Sequence, residues 1–553
     1  MKRTSLLTGK ALAVFLVIGM LLSACGNDLW GSYDPSPTAT IDSTPNLPAQ
    51  AGTTPLAGGT VASELSPTQT STPSLTPTPS QMPLTATEQS PSFTSPSSTP
   101  TEVVTMGMPG NTVPYISQSG DSLNVVASHF GVQPVQITSP ATLPANGFIN
   151  PGTLLFLPAP LTQVPSSPYD RIIPDSELVD SPSAVGFDIA DYVKSAGGKL
   201  STFTDYHSPV GTVNISGAEA VQIISAGSSI SPRLILALIQ YFTGWVLGQS
   251  KPGLDESRLF GYAYLSYNPA TPTLYQPMRP AIQDLLTGYY GWRAGKLSTL
   301  TFPDGTTLRI APDLNAGTVA LQYFFSRHLD YADWLKVIDP NTGFLVLYKS
   351  MFGDPWERAN ELGPLFPANL NQPNFSLPFD VGAPWNFTNG PHPAWEAESA
   401  LGALDFAPSG VSGCDVSSAW VVAIAPGQIV RSESSYVVLD LDGDGFEQTG
   451  WVVIYQHIGA KDRIPACTWV NAGAHIGHPS CEGGEATGTN LHIARKYNGE
   501  WVAAGGPLPF ILSGWTTHAG NKPGDGTLTR DDKVITASPV SEGFSKIIRQ
   551  PGE

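Results

Sequence analysis

Charge is scarce in this chain: 13% of its 553 residues are Asp, Glu, Lys or Arg, and no Lys or Arg stands between Lys10 and Arg171. With a net charge of −18 and a pI near 4.8 it offers no electrostatic footprint for nucleic acid. An acidic surface leaves glycan open as a partner, because sugars are read mostly by hydrogen bonds. Long apolar runs are lacking too. Ala11 to Leu22 is the longest, and twelve mostly apolar residues are too few to span a bilayer. What the chain has in quantity is Gly (55) and Pro (52), a composition suited to an extracellular, β-rich protein with long linkers.

The basic Met1-Lys2-Arg3 before that apolar run, and Leu22-Ser23-Ala24-Cys25 after it, make residues 1–24 a processing signal. The closing four residues resemble a bacterial lipobox. That resemblance implies lipidation of Cys25 and a mature chain held on the outer face of a bacterial membrane. Residues 25–110 are Ser, Thr and Pro with few large apolar side chains, and so are expected to form a disordered tether.

Residues 111–160 read as a strand, a Gly120-Asp121 turn, a helix capped by Asp121 or Ser122, a loop, and a second strand entered through Pro151-Gly152. The Ser-Gly-Asp-Ser-Leu and Asn-Pro-Gly-Thr-Leu ends resemble LysM, a βααβ module that binds N-acetylglucosamine in chitin or peptidoglycan. The resemblance places Gly120, Asp121, Ser122 and the region around Ile137 beside the sugar.

Residues 166–365 turn helical. Apolar positions fill more than one face of Leu234 to Leu247, which predicts a buried helix, and runs at 281–290, 316–325 and 342–351 behave alike. Ser231 to Phe242 is faintly similar to the acid-bearing helix of lysozyme-like transglycosylases. Gln240 stands where the Glu would be and cannot protonate a glycosidic oxygen, so the segment is expected to bind or space rather than cut glycan.

Residues 370–525 hold the chemistry. Gly390-Pro391-His392 is followed by Leu404-Asp405-Phe406, then by Tyr455-Gln456-His457 at the end of an apolar strand, then by Asn490-Leu491-His492-Ile493. Two imidazoles and a carboxylate (His392, Asp405, His492) are a plausible open zinc site, with His457 as the base beside the water. Strand alternation puts Asn490 and His492 on one face with Leu491 in the core, and sets His457 beside Tyr455 and Val453.

These residues resemble the lysostaphin/LytM-type zinc endopeptidases, and among them the staphylolysin branch. The resemblance implies a small antiparallel β domain with zinc in a groove, cleavage of peptide cross-links of peptidoglycan, and catalytic duty for His457. The family usually carries a His where Asn490 stands. Asn donates a hydrogen bond but carries no proton at neutral pH, so zinc binding survives the comparison better than turnover does. The same branch has a disulfide disposed like Cys414–Cys481; Cys467–Cys481 is the rival pairing. Asp440-Leu441-Asp442-Gly443-Asp444-Gly445 lacks the twelfth-position Glu of an EF-hand, since Trp451 stands there; it reads as a hairpin turn, with a cation site as the alternative.

The expected architecture is therefore multidomain α+β: a βααβ module, an α-rich middle, an antiparallel β domain, and a tail at 526–553. The expected function is a surface-anchored, peptidoglycan-directed zinc endopeptidase. The alternative is a non-catalytic wall-binding or regulatory lipoprotein on the same fold.

Overall fold

A computed structural model describes residues 111–159, 165–207, 214–397, 399–540 and 543–553. The signal, Cys25 and the tether lie outside the described residues. Among those described, no helix is long and apolar enough to cross a membrane.

The chain is a mixed α and β protein with antiparallel sheets. Its first element pair is β1 (Thr112–Ile116) against β2 (Leu154–Pro158), with helix α1 (Leu123–Phe130) between them. Ser122 caps α1 by accepting the Val125 N–H. The second helix expected of a βααβ module is reduced to a 3-10 turn at Pro134–Gln136. Pro140, Pro144 and Gly147 in the following stretch remove amide donors and rigid backbone, so no helix propagates there.

The middle of the chain is helical as its periodicity predicts. Helix α2 (Gly217–Ser228) opens with a capping box between Ser216 and Glu219. Helix α3 (Pro232–Thr243) starts with Pro at its first position and ends at Gly244. The longest helix, α4 (Tyr275–Arg293), packs along α5 (Ala316–Ser326).

The last third is built on a sheet of nine strands. In spatial order it runs from residues 468–470 through β5 (Gly427–Glu433), β6 (Tyr436–Asp440), β7 (Trp451–Gln456), β8 (Leu491–Tyr497), β4 (Ala403–Pro408) and β3 (Pro384–His392) to residues 546–548. Short β9 (Glu500–Trp501) pairs with β8 off this path. Of the residues expected as a tail (526–553), 526–530 and 533–536 pair with each other, and 546–548 pair with β3. Alternating Leu528 and Ile535 are buried, which explains why the segment holds.

The two faces of the large sheet have different owners. Leu404, Phe406, Val453, Tyr455, Leu491 and Ile493 point into a core of the β region itself. On the opposite face, directly paired residues make rows, since cross-strand partners point the same way. One row is polar throughout: Asn389, Asp405, His492, Gln456, Tyr436 and Glu433 across six strands, about 24 Å at the usual strand spacing. The adjacent row is apolar, with Ala494, Ile454 and Val438 in register, and it belongs to the same continuous core as the helices.

Candidate metal centre

The polar row begins at the candidate site. Asp405 sits directly opposite His492 in the β4–β8 ladder, while irregular register in β3 carries His392 around to them. His392 Nε2 lies 3.0 Å from His492 Nδ1, and each of these nitrogens lies 3.2 Å from Asp405 Oδ1. His392 Nδ1 must donate its proton to the Gly390 carbonyl at 2.8 Å, which leaves a lone pair on Nε2. Asp405 Oδ1 is buried and accepts no hydrogen bond of acceptable geometry, although two imidazole nitrogens are near it. Three atoms, each able to present a lone pair, therefore converge within 3.2 Å of one another. Ligands about 2.0 Å from a tetrahedral zinc stand about 3.3 Å apart, so these residues fit that ion. Two nitrogens and one carboxylate oxygen are also a donor set zinc favours.

The same closeness couples the three groups electrostatically. Burial opposes the charge on Asp405, but His392 and His492 outweigh it and hold the carboxyl well below the usual carboxylate range. Burial likewise opposes protonation of His392, and Asp405 outweighs it in turn, raising that imidazole.

His457 stands beside this cluster, its ring centre 6.2 Å from that of His492. Its placement corrects the expectation from alternation. The strand stops at Gln456, and His457 takes a left-handed backbone (φ 63°), so its ring leaves the face of Tyr455 and Val453 and turns to that of His492. Its Nδ1 donates to the Glu482 carbonyl at 2.7 Å, and burial lowers its pKa. The ring is thus neutral at pH 7, with Nε2 unprotonated. Asn490 follows the expected alternation, with Leu491 buried between it and His492. Its Nδ2 donates to Gly488 O at 2.9 Å, and its Oδ1 is buried without a partner.

Two contributors escaped the sequence. Asn389 donates to Asp405 Oδ2 at 3.2 Å, and Glu482 orients His457 through its backbone. The first depends on irregular strand register and the second on a carbonyl any residue supplies, so neither leaves a sequence signal. Cys414 and Cys481 are joined, tying the loop after β4 to the loop that carries Glu482; Cys467 is not in a disulfide.

The residues expected to meet sugar are placed differently. Gly120 is buried, and Asp121, Ser122 and Ile137 are 6–7% exposed. The turn is covered by the end of α4: Arg293 donates to Ser119 O, a Cβ on Gly120 would collide with that guanidinium, and His129 stacks on Trp292 at 3.5 Å. Ile137 belongs to the module's own core. Gly120 lies against the helical segment and Ile137 turns into its own module's core, while Val135 beside it is exposed.

Gln240 closes its own helix by accepting the Val246 and Leu247 amides through Oε1 at 3.1 and 2.9 Å. The acidic stretch is a turn between β6 and β7. Asp440 accepts from the amides of Asp442 and Gly445, and Asp442 from that of Asp444; oxygens of all three come within 4.8 Å of one another.

The family model described as "LasA, N-terminal domain" matches residues 171–368. That interval is the helical segment, and the match attaches to it a likeness other than lysozyme. Among solved structures the chain is similar to the M23 metalloprotease pseudoalterin from the deep sea, at 22% identity over 30% of this chain and 96% of that one (TM-score 0.26). It is also similar to the catalytic domain of lysostaphin from Staphylococcus simulans, at 23% identity over 22% and 87% (TM-score 0.17). A zinc-containing peptidase from Vibrio cholerae matches at 19% identity over 26% and 41% (TM-score 0.17). No curated protein matches the chain.

Proposed function

We propose that this protein is a zinc metalloendopeptidase that hydrolyses peptide cross-links of peptidoglycan and is anchored at the cell surface through Cys25. The observation that carries the reading is the convergence of His392 Nε2, His492 Nδ1 and Asp405 Oδ1 within 3.2 Å of one another, with an unprotonated imidazole alongside. Zinc, when bound there, supplies polarisation of a carbonyl and acidification of water. The chain's own residues do the rest. Asn389 and Gly390 fix the orientation of Asp405 and His392. His457, its Nδ1 committed to Glu482, can take up a proton only at Nε2, which makes it the base. The polar row from His492 to Tyr436 gives an extended peptide a floor of hydrogen-bonding groups.

One observation favours a second reading, a wall-binding protein without turnover: the Asn490 amide is engaged with Gly488, and an amide carries no proton at neutral pH. Metal analysis and digestion of purified peptidoglycan separate the two. The enzyme reading expects about one zinc per chain and cleavage of cross-linked muropeptides that chelation stops. A zinc-loaded protein that stays inert, and remains so as Asn490→His, establishes the second reading.

A further inference from the structure

The helices share a face of the sheet with the metal centre. The row carrying His492 is polar, and the next row, Ala494, Ile454 and Val438, lies inside the helical core together with Trp501 and Val502. Were the helices a removable cover, their departure would leave this apolar strip in water beside the site, a large exposed patch of a kind that drives association. Polar bonds cross the same boundary. Glu500, 2% exposed, accepts from Tyr289 Oη at 2.9 Å and from Arg293 Nη2 at 3.0 Å, and Trp501 Nε1 donates to Ser228 O at 3.1 Å.

A second grip falls on the hairpin that follows His392. Glu396, four residues on, holds a left-handed backbone (φ 43°), a strained state for a residue with a Cβ that its surroundings must enforce. Its Oε1 receives Arg279 Nε at 2.8 Å and its Oε2 receives Gln283 Nε2 at 2.7 Å, both from α4. Beside it, the Trp395 indole lies against Gly227 of α2, so closely that a Cβ there would stand 2.8 Å from Nε1. Two helices thus hold the loop that follows His392, while the Glu482–Gly484 loop, bonded to Gln456 and His457, stands on the side of His457.

We propose that the helical segment is a permanent wall beside the metal centre, and that Arg279 and Gln283 are positioning residues that set the loop after His392 through Glu396. The metal-affinity part rests on His392 being a zinc ligand; the wall and the clamp do not. In the full chain, Arg279→Ala/Gln283→Ala is expected to weaken zinc binding about tenfold in competition with a chromogenic chelator, the low end for groups that orient ligands. Hydrogen exchange should speed up at residues 393–400 and stay unchanged in β7 and β8, and Arg279→Lys, which keeps an ion pair, should restore part of both effects. Unchanged exchange at 393–400 overturns the clamp. A protease site inserted between Pro367 and Ala368, where the chain is exposed, tests the wall: after cutting, the halves are expected to co-elute in native buffer. Release of the helical half without denaturant overturns it. If the unmodified protein takes up no zinc, the ligand reading fails, and the exchange and cutting experiments still decide wall and clamp.

Discussion

Two stretches of this chain carry motif-like signals, and the folded protein treats them differently. His392, Asp405 and His492, separated by up to a hundred residues, meet within hydrogen-bond distance. Gly120 and Asp121, adjacent in sequence, lie beneath the end of α4, and Ser122 is taken up in capping its own helix. The difference lies in what each residue type is for. Imidazoles and a carboxylate on neighbouring strands have no structural need of one another, and burying them together costs energy unless a shared ion repays it. A Gly-Asp-Ser turn is needed to start a helix whatever binds nearby, so its presence says how the chain turns and leaves open what lies over it.

The sharpest way to break this contrast is to remove the carboxylate. Asp405→Ala should lower zinc affinity by on the order of 10³-fold or more, leaving two imidazoles to hold a dication. Asp121→Ala should leave zinc content untouched and act only on stability. Equilibrium dialysis against zinc, followed by metal analysis, reads both; equal zinc in the two variants would put the metal elsewhere. Next in size, His457→Ala should keep full zinc occupancy while turnover of a cross-linked muropeptide falls by about 10²-fold to 10⁴-fold. Loss of zinc with that substitution would make His457 a ligand and end the assignment of base.

Between the two stretches sits Arg293, which touches both halves of the comparison. It donates to Ser119 O in the N-terminal module, to Asp175 Oδ2 at 2.9 Å in the helical segment, and to Glu500 in the β region. Arg293→Ala leaves Glu500 and Asp175 buried without their cation, which should cost about 3–5 kcal/mol in urea unfolding. A cost under about 1 kcal/mol would mean that the three parts hold together by apolar contact alone.

How much of this was legible beforehand follows the same division. Residues that had to be of one type could be read: the grouping of His392, Asp405 and His492, the strand alternation that buries Leu491, a helix cap at Asp121 or Ser122, and the helical runs around Leu234 and Ala316. What depended on backbone irregularity could not. The left-handed His457 and the uneven register that sets Asn389 opposite Asp405 each turn on φ values or register that no side-chain pattern announces. Contacts made over long distances, such as Arg293 over Gly120 or Arg279 on Glu396, were invisible because either partner alone looks like an ordinary surface charge.

The smallest expected effect concerns the docked module and two groups that oppose each other. His129, stacked on Trp292, has its pKa lowered by burial to about 4, helped by Arg293 and resisted by its bond to the Trp292 carbonyl. Asp121 is raised by burial to about 6, with Asp175 adding to the rise and Gln118, Tyr115 and Arg293 resisting it. Between pH 4 and 6.5 the unfolded chain binds more protons at His129 than the folded one, so this residue makes stability rise with pH. Between pH 3.8 and 6 the folded chain binds more protons at Asp121, so that residue makes stability fall with pH. Each contribution is on the order of 3 kcal/mol from its shift, and in the same window they largely cancel, to within about 1 kcal/mol. The unmodified protein should therefore show little contribution from this interface when its thermal midpoint is followed from pH 4 to 6. His129→Phe keeps a ring against Trp292 and removes one of the two terms. Relative to the unmodified protein, its midpoint should fall progressively as the pH rises from 4 to 6, because the Asp121 term is no longer offset. A pH-independent difference between the two proteins would show that His129 is solvated rather than buried against Trp292.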